Sequence, residues 1–159
     1  MADITHGTWI KDGKAVDAVC QNGVKVYGRN LLTNLSSNWT QGWINGCTIG
    51  NPPTFNVSGG RIRTIQTISV SSGFPYTGSL SDTSFRWSWM ELDSNGNTTY
   101  VAPWITSENY TLTTTSTTTQ LYIVVAYKND TILNTSSLPK IKIEKGTIVT
   151  PYSPAPEDI

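Results

Sequence analysis

The sequence predicts an all-β fold, an antiparallel jelly-roll β-sandwich preceded by a small N-terminal β-hairpin or meander. Three observations predict it. Thr, Val, Ile, Trp and Tyr are abundant and good helix formers are scarce, a composition that favours strands. Short alternating segments recur about every ten residues between turn signals, the rhythm of a sandwich or barrel. The clearest of them, Phe85 to Leu92, alternates strictly and runs into Asp93-Ser94-Asn95-Gly96-Asn97, whose Asn-Gly supplies the positive φ angles of a tight hairpin.

In chain order, Thr8-Trp9-Ile10-Lys11, Lys14 to Gln21 and Val24 to Tyr27 read as a three-stranded meander turned by Asp12-Gly13 and Asn22-Gly23. Such a ribbon has too little apolar area to stand alone and needs a surface to dock on. Gly28-Arg29 marks the boundary, giving an attachment segment at 1–28 and a main module at 29–149. Within the module, Leu31-Leu32 read as buried, and Trp39 and Trp43 flank Gly42. Short strands follow at Thr54–Ser58 and Arg61–Ile65, with strand character continuing to Val70. After the central hairpin, Tyr110 to Thr113 reads as a strand and Gln120 to Tyr127 as the most deeply buried one, because it is the most apolar run in the chain. Leu138 to Glu144 closes the module, and 150–159 is a Pro-rich extended tail.

Formal net charge is zero and 14% of residues are charged, which argues against nucleic acid or an anionic membrane as partner. No stretch approaches the roughly 18 apolar residues of a membrane span, and the first residues lack the basic start and apolar run of a secretory signal. Cys20 and Cys47 are isolated and suit a chain made in a reducing cytoplasm. Seven Asn-x-Ser/Thr sequons follow from Asn, Ser and Thr richness, since the sequon matters only in a secreted protein.

Catalytic apparatus is not expected. His6 is the single histidine and lies near the N-terminus, so a Ser-His-Asp or Cys-His device and a His/Cys metal site are both improbable on count. Asp93, Asn95 and Asn97 resemble an oxygen-ligand series for calcium, but a hairpin turn explains them better. Hydrolysis of a glycoside needs two facing carboxylates, and only Glu91, with Glu144 as the weaker candidate, falls on a strand face. The expectation is a protein that is not an enzyme and holds neither cofactor nor metal.

Six tryptophans and seven tyrosines in a weakly charged β-protein suit carbohydrate recognition instead. Pyranose rings stack their C–H faces on aromatic rings, and their hydroxyls meet a few placed polar groups. Trp and Tyr equally fill any sandwich core. Trp87, Trp89 and Glu91 share one side of their strand, which is either core or platform. Because Gln120–Tyr127 can anchor a core by itself, the expectation tilts toward display. Trp104 and Tyr76, in loop-like contexts beside prolines, are expected rim aromatics, and Arg61 and Arg63 share a strand face that could offer guanidinium forks to sugar hydroxyls or acidic substituents. Tyr122 and Tyr127 are read as core.

Two stretches carry a resemblance. The opening THGTWIKDGKAVDAVCQNGVKVYGRNLL resembles the entry segment of tail and baseplate proteins of phages that infect lactic-acid and related Gram-positive bacteria. The ending LPKIKIEKGTIVTPYSPAPED resembles the last strand and exit of carbohydrate-binding modules in those proteins. The resemblance implies a jelly-roll module on a phage or prophage tail, assembled in the virion with other tail proteins and binding host cell-wall polysaccharide as a monomeric module. It transfers no ligand residues, because no binding motif is shared.

Overall fold

The structure, a computed structural model, describes residues 3–5, 8–45, 48–57 and 59–158. His6, Cys47 and the expected strand end at Ser58 lie outside the described residues, and of Trp43 only the backbone is described. The described chain is all-β, its regular structure being antiparallel strands apart from three single 3-10 turns.

Strands β1 (Asp3–Thr5), β2 (Thr8–Lys11) and β3 (Lys14–Ala15) form one small sheet, and β4 (Ala18–Gln21) and β5 (Val24–Gly28) form a separate hairpin. Asp12-Gly13 and Asn22-Gly23 both carry two successive positive φ angles, 52° and 74° in the first and 50° and 79° in the second, as a two-residue hairpin loop requires. The strand expected from Lys14 to Gln21 breaks at Val16-Asp17. There the Val16 amide donates back to Trp9, and the Asp17 carbonyl accepts from Arg29, tying the hairpin's root to the main module.

The module comprises β6 (Trp39–Gln41), β7 (Trp43–Asn45), β8 (Thr54–Asn56), β9 (Arg61–Thr64), β10 (Ile68–Ser69), β11 (Pro75–Leu80), β12 (Phe85–Leu92), β13 (Thr98–Val101), β14 (Asn109–Thr113), β15 (Gln120–Tyr127) and β16 (Ile141–Lys145). One sheet runs β13-β12-β15-β9-β6, with β10 also paired to β15, and the opposing sheet runs β14-β11-β16. The two pack face to face as a sandwich-like pair around one core. Expected rhythm and observed strands agree at the central hairpin, where the Asp93 carboxylate accepts from the Asn95 and Asn97 amides at 2.8 and 2.9 Å and Gly96 takes φ 82°.

Central β15 explains the core. Its apolar run pairs with β12 on one side and β9 on the other, and Leu121, Ile123 and Val125 point into the sandwich with no exposed surface. From the facing sheet come Leu80, Ile141 and Ile143. Trp87 spans the gap between the sheets. A Cβ on Gly78 of β11 would lie 1.8 Å from its indole, so glycine there makes room for the ring.

Each sheet's outer face is partly covered by another segment. The β7–β8 hairpin leaves the β6 edge, and at its far end Gly50 and Asn51 exchange backbone hydrogen bonds of 2.8 Å with Thr98 on the β13 edge. It therefore straps the large sheet. On the small sheet, Lys142 and Glu144 face away from the core yet are 0% and 1% exposed, because the β4–β5 hairpin and the C-terminal residues lie over them. Lys142 Nζ donates to Thr150 Oγ1 at 2.6 Å and to the Pro151 carbonyl at 2.8 Å. Glu144 accepts from Lys25 Nζ and from the Thr150 amide, both at 2.8 Å. Of the expected 150–159 tail, residues 150–158 are extended in backbone up to the last turn but packed, with Ala155 fully buried.

Candidate functional site

Alternation along β12 creates two chemically different faces, and the structure sends the tryptophans inward. Trp87 is 0% exposed, Trp89 1% and Glu91 0%. Trp87 and Trp89 meet edge-to-face at 5.6 Å, and Trp89 meets Tyr110 in the same way at 5.7 Å. The expectation that these three residues form a displayed face is therefore corrected. The physical reason is volume: the space between a five-strand path and a three-strand sheet, with glycine at position 78, needs two indoles to fill it. Glu91 serves the fold as well. Its Oε2 accepts from the Thr115 amide at 2.9 Å and the Thr118 hydroxyl at 2.6 Å, pinning the threonine-rich loop between β14 and β15.

Tyr76 is also buried, on the opposing sheet, where its hydroxyl accepts from the Ser71 amide at 2.7 Å. It lines a separate pocket of about 260 Å³ with Arg29 and Lys145, not the rim of an aromatic platform.

The remaining three expected residues do come together, on the outward face of the large sheet. Strand register sets the arrangement. Arg61 of β9 and Arg86 of β12 both pair with Ala126 of β15, so they share a row. At the usual inter-strand spacing their Cα atoms sit about 10 Å apart. Arg63 falls in the next row, with Val124 and Ser88, and Tyr122 in the third, beside Met90. Trp104 lies across the first row, its ring 4.4 Å from the Arg86 guanidinium and 5.7 Å from that of Arg61. Arg63 stacks on Phe55 of the strap at 3.8 Å, and Phe55 meets Tyr122 edge-on at 5.4 Å. Asp130, at the end of the turn after β15, pairs with Arg86 and lies 3.9 Å from Arg61.

Beneath these rings Met90, Leu92 and Val124 form a second, smaller apolar cluster, against which Trp104 and Tyr122 pack half-buried. This bed fixes the rings before any ligand arrives, which reduces the ordering cost of binding. Burial lowers the Arg63 guanidinium from its usual value, with the nearby Tyr122 opposing, and an arginine stays charged regardless.

Comparison with known proteins finds no matching family model, no matching curated protein and no matching solved structure. What this face can do is therefore read from its own chemistry. It offers three partly exposed aromatic rings and three guanidinium groups above the Met90, Leu92 and Val124 cluster. Among the described residues no group of three or more His, Cys, Asp or Glu is placed to hold a metal ion.

Arg86, Tyr122 and Phe55 are the site residues that sequence reasoning missed. Arg86 carried a usable signal, since it opposes the tryptophans in phase and would face Arg61 once the tryptophans are put inside. Tyr122 was hidden by the apolar run around it, and Phe55 reaches the site only through the strap.

Proposed function

We propose that the chain is a non-catalytic carbohydrate-binding module of a phage or prophage tail, a jelly-roll sandwich that binds host cell-wall polysaccharide through the outward face of its large sheet. One observation carries this reading: Trp104 is half-buried, bracketed by Arg61 and Arg86, and continuous with the Arg63–Phe55–Tyr122 group. A half-exposed indole packed on an apolar bed offers apolar surface to a pyranose, and the guanidinium donors against it can bond the hydroxyls. The resemblance of both chain ends to phage tail modules supplies the biological setting.

The test is a fluorescently tagged protein applied to Gram-positive cells. Decoration that extracted cell-wall polysaccharide competes away, and that Trp104→Ala abolishes, is the expected result. Absence of decoration across a broad panel of Gram-positive cells overturns the reading.

A second reading, a structural tail component that uses the sandwich for protein contact, is favoured by one feature. Val57 is 92% and Ile132 78% exposed; Ile132 lies beside Gly59, two residues on from Val57, and Phe55 of the same stretch is also exposed. Apolar side chains grouped in this way suit a protein partner. Light scattering in solution separates the two: a monomer that decorates cells supports the first, whereas an oligomer dispersed by Val57→Asp supports the second.

A further inference from the structure

Charge on the proposed binding face is uneven. The chain as a whole is neutral, with eleven basic and eleven acidic side chains, yet this face gathers Arg61, Arg63 and Arg86, and the carboxylate of Asp130 meets two of them. Asp130 is shared between Arg86 and Arg61, so it offsets one of their two charges, and Arg63 stands on the neighbouring row. Glu91, the acidic residue of β12, points into the core.

Arg63 and Arg86 are also underused as donors. A guanidinium carries five N–H donors. Among the described residues Arg63 makes one hydrogen bond, from Nη1 to the Thr64 carbonyl at 3.1 Å, and Arg86 makes one, from Nη2 to Asp130. Each is held instead by stacking: Arg63 on Phe55 and Arg86 on Trp104. Stacking orients the plane while leaving most of the fork unbonded by protein. A neutral sugar would need only one or two donors beside a ring. Three forks with a net positive charge suit oxyanions, which accept two parallel N–H bonds from one guanidinium.

We infer that the face selects polysaccharides carrying anionic groups, with Arg61, Arg63 and Arg86 meeting the oxyanions and Trp104 stacking an adjoining sugar ring. This rests on the carbohydrate-binding reading and narrows it to a ligand class. Phosphodiesters and carboxylates present the same oxyanion chemistry, and the experiment separates them.

Binding of the full chain is measured to poly(glycerol phosphate), to polygalacturonate, and to polygalacturonate whose carboxylates are fully methyl-esterified. Each titration is repeated at low and high salt, because the screening length shrinks from about 30 Å at 0.01 M to about 3 Å at 1 M. The expected result is binding to at least one charged polymer, weakened about tenfold or more by salt, with the esterified polymer at least as weak. The better of the two charged polymers identifies the oxyanion. Arg63→Gln and Arg86→Gln should each weaken that binding several-fold while thermal unfolding stays close to wild type. If either variant unfolds early, the salt and esterification arms on the wild-type chain still decide. Equal binding of charged and esterified polymers, binding insensitive to salt, binding to neither charged polymer, or binding unaltered in two folded arginine variants overturns the inference. Cell decoration that persists in those cases leaves the carbohydrate reading standing, and loss of decoration removes both.

Discussion

The two faces of β12 are built from neighbouring residues of one strand and do opposite work. Phe85, Trp87, Trp89 and Glu91 face the second sheet and are all buried. Arg86, Met90 and Leu92 face outward, and there the large rings, Trp104 and Tyr122, stay half-exposed above a thin apolar layer. The contrast teaches that aromatic content does not mark a binding face. What separates the two is what stands opposite: a second sheet with a glycine that accepts an indole, or a narrow strap that leaves arginines and ring edges in water.

That contrast can be broken most sharply at Trp87. Truncating a fully buried aromatic removes transfer free energy and leaves a cavity, so Trp87→Ala should cost about 3–5 kcal/mol in urea unfolding. An unchanged midpoint would place the indole outside and reverse the assignment of the two faces.

A second comparison sets the hidden lysine of the small sheet against the open arginines of the large one. Burial pushes Lys142 down from 10.5 to about 8 in the folded chain, partly offset by Glu144. Between those values the unfolded chain holds a proton that the folded chain has released, so stability rises with pH across that window. At about 1.4 kcal/mol per unit the gain is on the order of 2–3 kcal/mol. Denaturant titrations at pH 7.5 and 10.5 should show this gain in wild type relative to Lys142→Met, in which the contribution is absent. Parallel pH profiles for the two proteins would refute it.

Trp104→Ala sharpens the outward face. Its ring is half-buried, so stability should fall by only about 1–2 kcal/mol while cell decoration is lost. A fall as large as that of Trp87→Ala would make Trp104 a core residue. Smallest of all is Tyr122→Phe, expected to leave unfolding within about 0.5 kcal/mol of wild type and to reduce decoration modestly if its hydroxyl contacts the ligand. Unaltered decoration would confine Tyr122 to an edge contact with Phe55.

Local chemistry made much of the fold legible. Asp12-Gly13, Asn22-Gly23 and Asp93 to Asn97 turn where the sequence says they should, because positive φ and Asx bonding are properties of those residues alone. The apolar run of β15 likewise announced a central strand. Facing was not legible. Strict alternation along β12 shows that two faces differ, but both carry apolar residues, and the choice between them depends on Gly78 and on a partner sheet formed by strands both before and after β12. The site was half legible for a related reason: Arg61 and Arg63 share a face within one strand, whereas their meeting with Arg86 and Trp104 is a fact of cross-strand register. Lys142 and Glu144 alternate with Ile141 and Ile143, and nothing local to the pattern tells what covers them, since the segment that reaches Glu144 through Lys25 lies 119 residues earlier in the chain.

That buried group on β16 has a mechanical consequence. Lys25 from the N-terminal hairpin and Thr150 from the C-terminal stretch converge on Glu144, and Thr150 also accepts from the Gly28 amide at 3.0 Å. The N-terminal hairpin and the C-terminal stretch are thus held on the same strand by the same few bonds. Breaking this one group would release both coverings of the small sheet together, and none of these bonds involves the large sheet.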